Sequence, residues 1–499
     1  MRLLSIIIFF AIGNRLQAAQ DPYIFSSECI HAYQLIFDLR FDAATVILEK
    51  EKINHPENVI PVYLEHYCLF LKSFISENES AFTKLKEHHD YAIRIFERTN
   101  MSSPYARYCK ADVNILTAFS KIKFKEYISA ALEIRRAFKL LEENKRLYPS
   151  FAPTLKSLGL LHAFIGAVPE NYKWLLKFVG LTGTIKEGID ELATAFNDAN
   201  DATSNHHFLK SETLCLYLFT RHHLEQNYPN VLPLLTEFSL VKNPVELFFV
   251  CNLLYNSGKN DEVLNHLLTH KRESDQYPFY YLDFLLGMTK LNRLDFSAYS
   301  HFNDYVQLYK GNSFVKAAWQ KLAWIGLLKG DTMAYLNNIK MCGVKGNDFT
   351  DEDKQAFNEF NTKSFPNALL LRSRLLFDGG YYKNALLELA GKDIHYFPTV
   401  KDQLELTYRL ARIYDKMEND SNAIELYKKT IQNGSSYTYY FAANSSLHLG
   451  NLFEKRRDTL NAEKYYRMCL AMRNHEYQNS IDQKAKAGLN RLGKTERNE

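Results

Sequence analysis

Three histidine pairs, one glycine-rich turn and a scatter of carboxylates are the residues here whose types could do chemistry. The pairs are His88-His89, His206-His207 and His222-His223. Imidazole binds metals and moves protons near neutral pH. Neighbouring residues on a helix point to different faces, and no His-Glu-x-x-His or Cys/His ligand spacing accompanies these pairs. They read as polar helix faces, so we expect no metal. Gly183-Thr184-Ile185-Lys186-Glu187-Gly188 has the glycines of a phosphate loop, but Ile189 follows Gly188 where a lysine should stand, and no strand precedes it. A helix junction is the expectation. No Gly-x-Ser-x-Gly elbow occurs. The acids Asp351 and Asp353 sit where they would cap a helix. We therefore expect no enzyme and no cofactor.

The remaining chemistry is recognition, and it follows a repeat. Ser373, Leu376 and Ala385 share one pattern with Ala411, Tyr414 and Ala423, and with Gly450, Phe453 and Ala462. A bulky residue, Leu389, Tyr427 or Tyr466, follows each alanine by one helical turn. The alanines recur about every 38 residues, a period of helical-hairpin arrays. Small residues suit the close approach of two helices, and large ones fill the space between hairpins. The pattern resembles the tetratricopeptide repeat. It implies an all-α fold, an α-solenoid of tetratricopeptide-like hairpins in two lobes. In such proteins the first helix of each hairpin lines the concave face. Counted from the small residues, the inward positions of the last three hairpins are Leu370 and Arg374, Tyr408 and Arg412, and Leu447 and Asn451. Two arginines and a tyrosine in register could grip a carboxylate or an extended peptide.

Composition agrees with a hairpin array. The chain has 499 residues, with only 20 Gly and 13 Pro, so long helices outnumber tight turns. A solenoid can reach this length because each hairpin packs on its neighbours alone. The 32 Tyr and 34 Phe serve as wedges between helices. Net charge is +4 with the charges interspersed, which lacks the dense basic footprint of a nucleic-acid binder.

The amino-terminus reads as a secretory signal spanning residues 1–19. Arg2 gives a positive start, Leu3 to Ile12 is apolar except for Ser5, and Ala18-Ala19 offers a cleavage site. The apolar run is too short to span a bilayer, and no later stretch does so. Retention as an anchor is the alternative to cleavage, and peripheral membrane association is compatible with either. The expected location is outside the cytoplasm, in the periplasm or cell envelope. The seven cysteines are dispersed and odd in number, so they read as buried small hydrophobes rather than a disulfide framework.

Breaks in the helical pattern suggest an amino-terminal lobe at 20–197, a middle region at 206–364 and the regular repeats at 365–499. Ala32, Ala44 and Pro56 mark a first hairpin. The polar stretch Asn197–Asn205 reads as a linker, Thr184 and Glu187 as a capping box, and Tyr477–Leu492 as a covering helix. The order Leu158-Gly159, Pro169, Leu175-Leu176, Phe178, Gly180-Leu181, Gly183, Gly188 and Leu192 resembles the signature segment of the tetratricopeptide repeat protein 39 family, which includes inclusion-body clearance proteins. That resemblance implies an adaptor or scaffold without catalysis. The expected function is an exported scaffold that binds a protein or peptide on its concave face. A glycan-binding protein or an enzyme on the same frame is the competing reading. Trp174, Trp319 and Trp324 are scattered in apolar helices, which argues against a sugar platform.

Overall fold

A computed structural model describes residues 21–99, 101–168, 176, 180–224, 232–238, 243–362 and 365–493. Among the described residues the chain is helical and has no strand. It divides into two compact units. The first comprises the described residues up to Phe74, with Glu79–Leu161 and Asp190–Lys210. The second comprises Ile75–Asn78, the described residues of His162–Ile189, and those from Ser211 onward.

In chain order the helices are α1 Ser27–Phe37, α2 Phe41–Asn54, α3 Ile60–Ser76, α4 Glu79–Arg98, α5 Pro104–Lys123, α6 Tyr127–Leu147, α7 Pro153–Ala167 and α8 Ile185–Asn200. They continue as α9 Lys210–Leu224, α10 Pro244–Asn256, α11 Asn260–Thr269, α12 Tyr281–Leu291, α13 Ala298–Leu308, α14 Val315–Leu328, α15 Thr332–Ile339 and α16 Asp351–Thr362. The last are α17 Ala368–Asp378, α18 Tyr382–Glu388, α19 Val400–Lys416, α20 Asp420–Gly434, α21 Phe441–Lys455, α22 Thr459–Ala471 and α23 Gln478–Arg491.

One turn joins most hairpins. Leu39, Lys125, Gly258, Gly330, Gly380, Glu418 and Arg457 each adopt a left-handed backbone conformation, two residues past the end of a first helix. The next amide then reaches back across the helix end: Arg40 N–H donates to the Leu35 carbonyl, Asn419 to Tyr414, and Asp458 to Phe453. This satisfies carbonyls that the helix end leaves without partners. Asn419 and Asp458 then cap the following helix through their side chains. Gly380 has a second reason to be glycine. A Cβ there would collide with the carbonyl oxygen of Gly258, where two hairpin turns meet.

The repeat pattern is visible as packing. Ala385, Ala423 and Ala462 are fully buried, as are Ser373 and Ala411. The Ser373 hydroxyl donates to the Ala385 carbonyl at 2.9 Å, tying first helix to second. At Gly450 a Cβ would lie 2.5 Å from the Tyr466 ring. Gly488 on α23 abuts the same ring. Tyr466 is thus held between two glycines, and α23 covers the last hairpin with Ile481, Ala485 and Leu489.

Several buried charged and polar groups of the first unit have matched partners. Asp112 accepts from the hydroxyls of Tyr63 at 2.7 Å and Ser157 at 2.8 Å. Glu133 takes Lys121 at 3.1 Å and Arg136 at 2.9 Å. His66 is fully buried, with Nε2 3.0 Å from the Thr117 hydroxyl and Nδ1 3.4 Å from Nδ1 of His88. Burial, and then the neighbouring His88 and His89, hold its pKa well below the usual imidazole range.

Two sequence expectations need correction. The stretch 197–205 is not all linker, because α8 continues to Asn200 and turns follow. Half of the expected capping box forms: the Glu187 amide donates to the Thr184 hydroxyl at 3.1 Å, while the Glu187 carboxylate lies 3.7 Å from His162 Nδ1. The signal segment at 1–19 and Trp174 lie outside the described residues.

Candidate partner-binding face

Helical geometry sorts the six proposed contact residues into two sets. Ser373, Ala411 and Gly450 face their second helices. Residues three apart share a helix face, so Leu370, Tyr408 and Leu447 face the same way. They are 1%, 3% and 3% exposed and lie in the hydrophobic clusters of successive hairpins. These three serve packing and do not line a groove. Arg374, Arg412 and Asn451 follow the small residues by one position, about 100° round the helix, and turn away from that core.

The two arginines land on aromatic rings of preceding hairpins. Arg374 places its guanidinium carbon 5.2 Å from the Trp324 ring centre on α14. Arg412 does the same at 5.0 Å over Phe377 on α17. Guanidinium over an aromatic face is attractive. Arg412 also donates to the Tyr408 hydroxyl at 2.9 Å, which accepts from Asn444 at 2.7 Å. The Arg374 side chain stays 26% exposed and 3.6 Å from Asp378. Burial pulls its pKa down, but Asp378, with Tyr440, Glu405 and Tyr477, outweighs burial and leaves it raised. Those neighbours come from α17, α19 and the residues just before α21 and α23. Asn451 is exposed and accepts from the Tyr466 hydroxyl at 2.7 Å.

Residues 406–433 match the family model of the tetratricopeptide repeat. That segment carries Ala411, Arg412, Ala423 and Tyr427, the middle repeat of the sequence pattern. The chain is also similar to a crystal structure of the APC/C hetero-tetramer Cut9–Hcn1, at 12% identity and a TM-score of 0.25, over 92% of this chain and 97% of that one. No curated protein matches the chain.

The face extends beyond the regular repeats to a cluster that the sequence pattern did not reach. Lys321 on α14 is 4% exposed, with Nζ 3.6 Å from the Trp324 ring centre. It donates to Gln320 Oε1 at 2.7 Å. Gln320 in turn donates to Glu359 at 2.7 Å. Glu359 also accepts from Trp324 Nε1 at 2.9 and 3.1 Å and from the Tyr335 hydroxyl at 2.9 Å. A signal existed in the sequence. Lys316, Gln320 and Lys321 interrupt an otherwise apolar helix, and Lys321 shares a face with Trp324.

The histidines fall into separate places. His206 lies 2.7 Å from Asp198, and His207 meets the Ala199 carbonyl. His222 and His223 stack edge to face near the end of α9. Burial, then His223, brings His222 down to about 4. The cysteines are all buried and free. Burial pushes the Cys29 thiol up to about 11, so it is a poor nucleophile. No described helix is long and apolar enough to cross a membrane.

Proposed function

We propose that this chain is a non-catalytic scaffold that binds a protein or peptide partner on the inner face of its second unit, and that it acts outside the cytoplasm, in the periplasm or cell envelope. A helical-hairpin array suits protein–protein interaction because it presents a long row of side chains on rigid elements. The observation that carries the reading is the register of Arg374 and Arg412. Both leave the hairpin core one position after the small residue and rest on aromatic rings of earlier hairpins. Charged donors held in place this way can meet carbonyls or carboxylates of an extended chain at little entropic cost. The resemblance of Leu158–Leu192 to the tetratricopeptide repeat protein 39 family supports an adaptor role. The glycan reading has less behind it, because Trp324 is 2% exposed and its indole N–H is taken by Glu359.

The test is site-directed photo-crosslinking. A crosslinking residue is placed at position 412 or 451 on the inner face, and separately at Leu387 or Leu460, which are 72% and 79% exposed on second helices. A displayed peptide library is offered to the full chain. Crosslinks confined to 412 and 451 support the reading. Crosslinks only at 387 and 460 overturn it. Export rests on Arg2, the Leu3–Ile12 run and Ala18-Ala19. Amino-terminal sequencing from the native host checks it, and an intact Met1 on soluble cytoplasmic protein rejects it.

A further inference from the structure

We infer that Lys321 and Arg374, both set against the Trp324 indole, form a receptor for a carboxylate of the bound partner. This rests on the inner face being the partner-binding surface. Two cations on one ring repel each other. Glu359, Glu352 and Asp378 offset part of that repulsion, yet among the described residues none of them hydrogen-bonds directly to Lys321. Glu359 already accepts from Trp324, Tyr335 and Gln320, and Lys321 meets it only through Gln320. Asp378 lies 3.6 Å from Arg374, longer than a charge-assisted hydrogen bond.

The donors outnumber their partners. An ammonium has three N–H groups and a guanidinium five. Among the described residues, Lys321 donates to Gln320 alone, and Arg374 has its single ion pair with Asp378. A carboxylate fits this arrangement. One oxygen can take the ammonium, while the guanidinium fork meets the carboxylate edge. Contact with the Trp324 ring restrains each cation, so little order is lost on binding.

The charged groups around Lys321 couple the site to protons. They are Arg374 and Asp378 on α17 and Glu352 and Glu359 on α16, with the Tyr335 hydroxyl from α15. Burial, and then Arg374, pull the amine down to about 7 against the opposing pull of the three acids. Near neutral pH the amine is therefore partly uncharged. A bound carboxylate favours the ammonium, so binding takes up a proton. Binding weakens as pH rises above neutrality.

Calorimetry on the full chain tests this with two acetylated nonapeptides, one of alanine and glutamate and one with every glutamate replaced by glutamine. The glutamate peptide is expected to bind at least about tenfold more tightly, as a lost charge-assisted pair of about 1.4 kcal/mol would give. Titration at pH 7.5 in two buffers of different ionisation heat should show proton uptake. Lys321→Met should abolish the uptake and the preference for glutamate. Arg374→Gln should weaken binding and shrink the uptake, because removing that cation raises the lysine pKa. Equal binding of the two peptides overturns the proposal, as does unchanged uptake in Lys321→Met. Acetate competing as well as the peptide at equal carboxylate concentration also overturns it, since the site would then hold only an adventitious ion. If uncharged peptides crosslink at positions 412 and 451 while glutamate gives no advantage, the partner-binding reading stands and this inference falls. If no peptide crosslinks there, both fall.

Discussion

One set of buried ionisable groups in the first unit and another in the second are held in opposite ways. In the first, Asp112 and Glu133 meet donors from neighbouring helices, and His66 stays neutral between Thr117 and His88. In the second, Lys321, Arg374 and Arg412 rest on aromatic rings and leave most of their donors unspent. A buried polar group with its partners supplied helps hold one packing arrangement. A buried cation with few partners costs stability and is poised for a ligand. The contrast sets these matched groups apart from the face proposed for recognition.

The largest test removes a matched group. Asp112→Ala leaves the Tyr63 and Ser157 hydroxyls without their acceptor in a buried site. Breaking a buried polar network in this way should cost about 3–5 kcal/mol. Urea melts combined with limited proteolysis should show the first unit cleaved first. A loss under about 1 kcal/mol would mean that the network is not what holds this unit, and the comparison would lose its first half.

Next is the hairpin core of the second unit. Ala423 is fully buried, in the cluster with Ala411, Tyr408 and Tyr427. Ala423→Leu forces three carbons into that contact and should cost about 1–3 kcal/mol. Because hairpins couple mainly to their neighbours, proteolysis should start in α19–α23. Melting like the wild type would show that the small-residue alignment does not describe the packing.

That alignment shows how much was legible in advance. Alanine, glycine and serine at fixed spacing betray close helix contacts, so the fold class and the last three hairpins could be read from the residues. The joining turn could not. Its left-handed position is glycine at 258, 330 and 380 but leucine, lysine, glutamate and arginine at 39, 125, 418 and 457, so no residue type announces it. The binding face was half legible. The arginines were found, but Leu370, Tyr408 and Leu447 were assigned to the groove although they lie three residues before the small residues and so share the core face. Lys321, Trp324 and Glu359 were missed because they precede the region where the period holds, and only packing brings α14, α16 and α17 together.

A smaller effect depends on pH. The folded state holds His66 well below its ordinary value, while the unfolded chain titrates near 6.5. Above that pH both states are neutral and the group adds no slope. Below it the unfolded state binds a proton that the folded state refuses, so stability falls by up to about 1.4 kcal/mol per pH unit. The first unit should therefore lose urea resistance between pH 7 and pH 5. His66→Gln, which keeps an amide opposite Thr117, should flatten that slope. An unchanged slope would assign the acid sensitivity elsewhere.

The smallest expected effect bears most directly on the contrast. If Lys321 were part of the framework, replacing it should destabilise the second unit as Asp112→Ala does the first. If it is kept for recognition, its charge is a cost. Burial and Arg374 depress its pKa to about 7, far below the roughly 10.4 of a free lysine. The unfolded chain therefore favours the charged form more than the folded chain does. The cost is absent at strongly alkaline pH, grows as pH falls through the unfolded value, and is complete below the folded one. Methionine has a similar length and no charge, and it can lie against the Trp324 ring. Lys321→Met should thus leave the second unit as stable as before or more stable by about 1 kcal/mol at pH 7, with the difference shrinking as pH rises from 7 to 10. Thermal melts across that range measure it. A loss of more than about 1 kcal/mol at pH 7 would place Lys321 among the structural groups, and the division between a satisfied framework and an unsatisfied face would no longer hold.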